Sequence, residues 1–113
     1  MSSDPADAFL RGLAACACPS SVRGEVIVFE VTPILGRYAG QTIETGVFMK
    51  ELAGWSGVPP HWVHFPSQIQ VGKTNSRPSP LPGWTMHSRN LPGWGDAEVP
   101  EQGWIAHVRS VLS

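Results

Sequence analysis

Cysteine is nearly missing from this chain: Cys16 and Cys18 are the only two in 113 residues. With one residue between them, they form no disulfide framework, and two thiols do not make a four-ligand zinc site. Free thiols near a helix end, in a reducing compartment, are the expectation. Charge is sparse as well. Charged residues make up 15% and the net charge is −1, with no run of Lys or Arg. That balance argues against a nucleic-acid partner, which calls for a basic stripe. No apolar run reaches the ~20 residues that span a bilayer. The start carries Asp4 and Asp7 where a secretory signal would carry basic residues, so a cytoplasmic location and no membrane partner are expected. No H-E-x-x-H, Cys/His cluster or G-x-S-x-G occurs. "GKTNS" (72–76) lacks the first glycine of a phosphate-binding loop. No metal and no cofactor are expected.

What the chain does have is proline, glycine and tryptophan. It holds 11 Pro, 12 Gly and 5 Trp, and the Pro and Gly crowd its second half. Hydrophobic residues reach 42%, a globular composition for a single domain over 1–113. Residues 4–17 read as a helix: Ser3 or Asp4 caps it, and Pro5 suits the first turn. Ala6, Phe9, Leu10, Leu13 and Ala17 share one face, and Pro19 stops it.

"EVIVFEVTPI" (25–34) and "QTIETGVFMK" (41–50) read as strands paired in a hairpin with a long turn. Ile27, Phe29 and Val31 face one side, Val28 and Glu30 the other; Ile43, Val47 and Met49 share a face. "HWVHF" (61–65), flanked by prolines, reads as a short third strand near an edge. His61 and His64 then point to opposite faces and cannot easily share a metal. Residues 66–99 show no periodicity and read as a long, ordered Pro/Trp-rich loop. Residues 100–113 close the chain as a helix with Trp104, Val108, Val111 and Leu112 as its apolar stripe, and His107 beside its polar face. The fold class is α+β: N-terminal helix, three- to four-stranded antiparallel meander (25–65), loop region, C-terminal helix.

Within the loop, Leu-Pro-Gly-Trp occurs twice, at 81–84 and 91–94. Trp84 and Trp94 read as anchors that pin the loop to the sheet. His87, Ser88, Arg89 and Asn90, between them, read as an exposed polar tip free to touch a ligand. Together with the tryptophans they are the candidate binding residues. His87 is the one candidate catalytic group, but Ser88 beside it does not make a Ser/His pair, since adjacent residues rarely place base and nucleophile in line.

The order of parts resembles the ubiquitin-conjugating-enzyme (UBC-like) superfamily from about residue 26 to 113. Tyr38-Ala39-Gly40 is similar to the family's Tyr-x-Gly before its next strand. "GVPPHWVHF" (57–65) is similar to its double-proline flap entering a strand that ends in Phe. Trp94 and "GWIAHVRSVL" (103–112) are similar to the Trp and helix after its active site. The chain departs from the pattern in three places. No cysteine lies in 66–95, where the family keeps its nucleophile. No His-Pro-Asn occurs. Ser56-Gly57 stand where an aromatic residue usually precedes the prolines.

Without a thiolate in that loop, thioester transfer by the family's route is closed. The resemblance implies a non-catalytic, UBC-like protein of divergent prokaryotic type. It would act in a ubiquitin-like modifier conjugation or defence pathway, with a ubiquitin-like protein or an activating-enzyme-like protein as partner. Two alternatives stand beside it. One is an enzyme of the same fold using His87, Cys16 or Cys18 as nucleophile. The other is a Trp-rich module that binds a peptide or its own copy.

Overall fold

A computed structural model describes residues 4–95 and 98–113. The first helix, α1 (Pro5–Ala15), starts where Asp4 Oδ1 accepts the Ala6 N–H at 3.0 Å. It buries Ala6, Phe9 and Leu13 of the predicted stripe, whereas Leu10 is half-buried and Ala17 lies exposed beyond the helix end. It ends at Cys16, and Ala17 takes a left-handed φ of 57° that turns the chain away.

Six antiparallel strands follow, in spatial order β1-β2-β3-β4-β6-β5. They are β1 (Ser20–Arg23), β2 (Val26–Val31), β3 (Ile43–Phe48), β4 (Val63–Pro66), β5 (Asn75–Pro78) and β6 (Trp84–Ser88). The second helix, α2 (Pro100–Leu112), closes the chain, with Pro100 in its first turn. No helix among the described residues is long and apolar enough to cross a membrane.

The pleat sorts side chains between the two faces of the sheet. Ile27, Phe29, Val31, Ile43, Val47, Val63 and Phe65 join Phe9 and Leu13 of α1 and Trp104, Val108 and Val111 of α2 in the main core. Val26, Val28 and Phe48 point the other way and form a smaller cluster under Leu81 and Trp84. The predicted hairpin of the first two long strands holds, with Val28 opposite Gly46.

The strand count of three to four is corrected to six. β1 was missed because "SSVR" is exposed along its whole length and carries no apolar alternation. The stretch 66–99 is not one long loop: β5 and β6 form a hairpin inside it. Its prolines are compatible with strands because they sit where no ladder N–H is needed. Pro78 ends an edge strand, and Pro80 and Pro82 lie in the turn between β5 and β6. β5 reaches the edge first and β6 returns between it and β4, with Val63 opposite His87.

Candidate functional site

β6 delivers the segment singled out in the sequence, and its pleat divides that segment. Trp84 and Met86 fall on the outer face of the sheet. His87 falls on the core face beside Phe65, with ring centroids 5.8 Å apart. The expected exposure of His87 is therefore corrected: it is only 5% exposed. Its Nδ1 lies 3.1 Å from Thr74 Oγ1. Its Nε2 is enclosed and has no hydrogen-bond partner among the described residues. Burial, with a smaller contribution from His64, holds its pKa below the usual value. A neutral, enclosed imidazole has no open line to a substrate, which disfavours His87 as a nucleophile.

At the end of the strand and just beyond it, Ser88, Arg89 and Asn90 do reach a cleft. They face the proline turn Val58-Pro59-Pro60-His61 on one side and His107 of α2 on the other, around a volume of about 330 Å³. Arg89 fixes this wall. Its Nη1 donates to the Ser110 carbonyl at 2.7 Å, and its Nη2 donates to the Gly72 carbonyl at 3.1 Å. One side chain thus ties the end of β6 to the last turn of α2 and to the crossover before β5.

The cleft continues through Leu91 into an apolar channel of about 220 Å³. There Leu91, Pro92 and Trp94 face Pro100, Gly103 and Ala106 of α2. Trp94 is held from two sides: its Nε1 donates to the Ser56 carbonyl at 3.0 Å, and its ring tilts against Trp55 at 5.3 Å. Trp55 packs edge-on against Phe9 of α1, and its Nε1 donates to buried Glu101 Oε2 at 2.9 Å. The channel wall is therefore braced from the core.

So the fold assembles Ser88, Arg89, Asn90 and Trp94, and places Trp84 and His87 elsewhere. It adds two residues that are not among the candidate binding residues, His61 and His107. His107 is 7% exposed, so its place beside a polar helix face is corrected as well. The signal was present in the helical period: 100, 103 and 107 follow i, i+3, i+7. A histidine in that series reads as polar and was left out of the stripe.

The thiols lie away from the cleft. Cys16 borders Gln102, Ile105 and Arg109, on the helix face away from the cleft. Burial, and then Glu101, raise its pKa. Burial raises that of Cys18, which donates to the Glu30 carbonyl at 3.5 Å. Protonated thiols are poor nucleophiles.

A polar network on the outer face superficially resembles a catalytic triad. His64 Nε2 lies 2.8 Å from Glu51 Oε1, and its Nδ1 lies 2.9 Å from Ser79 Oγ. Glu51 Oε1 also accepts the Phe48 N–H at 2.9 Å, and Ser79 Oγ accepts the Leu81 N–H at 3.1 Å. Since the carboxylate only accepts, the Nε2–H donates to Glu51, and Nδ1 is left to accept from Ser79. Every member is satisfied internally and the hydroxyl is already spoken for. The network is a lock on the 79–84 turn, not an open nucleophile.

No group of three or more metal-ligating side chains forms among the described residues. Comparison with family models, curated proteins and solved structures returns no match. Function must rest on the site's own chemistry.

Proposed function

We propose that this chain is a non-catalytic UBC-like domain. It binds a ubiquitin-like modifier, or an activating-enzyme-like protein of the same pathway, in a prokaryotic conjugation or defence system. The observation that carries this reading is the make-up of the cleft. The proline turn at 59–60, the segment after β6 and the last helix meet there, as the resemblance expects of an active-site region. Yet Cys16 lies on the far side of α2 and Cys18 lies against β2, both with raised pKa values. The surface is built for contact and lacks the group that would accept a modifier. The order helix, antiparallel sheet, helix supports the same reading.

The test is the intact mass of the chain purified from its own cells without reductant, with its bound proteins identified. The expected result is an unmodified chain together with a ubiquitin-like protein or an activating enzyme, whose retention falls in Trp94→Ala. A thiol-sensitive adduct on Cys16 or Cys18 overturns the non-catalytic part. An unmodified chain that binds neither class of partner overturns the pathway.

Self-association is a second reading, but it draws on other residues than the tryptophans, which are engaged within the fold. Ile34 and Leu35, in the turn between β2 and β3, are 78% and 70% exposed. Such a pair suits a contact with a second copy. A sedimentation series should then show a dimer that Leu35→Ser abolishes; a monomer at every concentration removes this reading.

A further inference from the structure

The cleft has a polar end whose chemistry the partner reading leaves unused. Among the described residues its lining holds one cation, Arg89, and two imidazoles, His61 and His107, with Ser88 and Asn90 beside them and no carboxylate. Arg89 forms no ion pair among the described residues. Both of its hydrogen bonds go to backbone carbonyls, so no described residue compensates its formal charge.

His107 is the second, independent observation. The residue is more than nine-tenths buried and lines the cleft, with its ring against Trp104 at 5.4 Å. Its ring nitrogens form no hydrogen bond among the described residues and, unlike His87 Nε2, are not sealed from solvent. Burial, and then Arg89, depress its pKa. An unpartnered imidazole, an uncompensated guanidinium, a hydroxyl and an amide therefore border one small volume.

We infer that this end of the cleft is an oxyanion site, taking a carboxylate or phosphate group between His107, His61 and Arg89. An imidazole N–H donates one hydrogen bond to an anionic oxygen. Ser88 Oγ and the Asn90 amide supply two more donors, and Arg89 supplies the charge. At about 330 Å³ the cleft has room for such a group together with part of what carries it. The apolar channel past Leu91 would take an apolar neighbour of that group. The inference rests on the face chosen above, but not on the pathway.

The test is an NMR titration of the full chain with sodium acetate, inorganic phosphate, and a short peptide with a free carboxyl end against its amide. The expected result is a saturable shift of the His61 and His107 ring signals and of the amides of residues 88–90. His107→Phe keeps the stacking on Trp104 and removes the donor, so it should weaken binding about tenfold, the loss expected for one charge-assisted hydrogen bond. His61→Ala changes an exposed residue, does not threaten the fold, and should weaken binding severalfold. A preference for phosphate over acetate, or for the free peptide over its amide, names the source of the oxyanion. No saturable shift with any probe overturns the site, as do shifts that both variants leave unchanged. If acetate or phosphate binds while no modifier or activating enzyme does, the site stands and the pathway reading falls. If a modifier binds the His107→Phe chain as tightly as the native one and no small anion binds, the reverse holds.

Discussion

The two copies of Leu-Pro-Gly-Trp share a left-handed glycine and do different work. Gly83 and Gly93 both adopt a left-handed φ, 81° and 75°. After the first turn the chain enters β6, and Leu81 and Trp84 lie over Val26, Val28 and Phe48 on the outer face of the sheet. The second turn follows β6, and Leu91 and Trp94 pack against the main core on the helix side. The first is locked by polar groups, Ser79, His64 and Glu51. The second is locked by aromatic rings, Trp55 and Phe9, with Glu101 behind them. One tetrapeptide thus serves as a cover in one place and as the wall of a channel in the other. Local sequence sets the bend; what the bend meets depends on the strand between the copies.

The largest expected effect comes from removing the aromatic lock. Trp55→Ala should cost about 3 kcal/mol in urea unfolding, the lower end for a large aromatic because the ring is only part-buried. It should also release Trp94 and weaken any ligand of the channel. An unchanged midpoint would mean the second turn is held by its own residues. Breaking the polar lock should cost less. His64→Ala leaves Ser79 and Glu51 without their shared partner, at about 2 kcal/mol. It should leave oxyanion binding in the cleft unchanged, since His64 faces the other side of the sheet. Loss of that binding would show that the two faces are coupled.

The helix side should respond to pH. His87 and His107 both titrate below the ordinary value of 6.5 when folded. Between their folded values and that of the unfolded chain, the unfolded state binds more protons. Stability therefore falls as pH drops below about 6.5 and levels off below the folded values. Each group contributes at most about 1.4 kcal/mol per pH unit. His87→Phe should flatten this slope in denaturation curves taken from pH 7 to 5, whereas Trp84→Phe should not. The smallest effect compares the turns themselves. Nothing lies within 4 Å of a Cβ added at Gly83, so Gly83→Ala costs only the left-handed backbone, about 1 kcal/mol. Gly93→Ala should match it if both bends are locally determined; unequal midpoints would show a tertiary constraint on one.

Much of this fold could be read before any coordinates. Strands β2 and β3 announce themselves through alternating Val, Ile and Phe, α1 through its Asp4 cap, α2 through Pro100 in its first turn, and both helices through their apolar stripes. β5, with all four residues exposed, offers no pattern to read. β6 is short and only half-buried, so its alternation is lost among the surrounding prolines. That missed strand explains the misplaced His87. In a loop it stands beside Ser88 and Arg89 on one exposed tip; in a strand it turns inward against Phe65. Ser88, Arg89, Asn90 and Trp94 were legible because they lie at or beyond the strand's end. His61 and His107 were not, because they meet from a turn and a helix 46 residues apart (107 − 61).

By itself, the sequence determined the two helices, the cap of α1, the two long strands, the bends at Gly83 and Gly93, and the lack of a thiol beyond Cys18. These follow from nearest-neighbour sterics and from hydrophobic period, which act over a few residues. Only the tertiary structure decided which tryptophan covers the sheet and which lines a channel. Only it turned His87 into the core and brought His107 to Arg89. Those outcomes depend on strand pairing and on how α2 packs, and in a pleated sheet a shift of one residue sends every side chain to the opposite face.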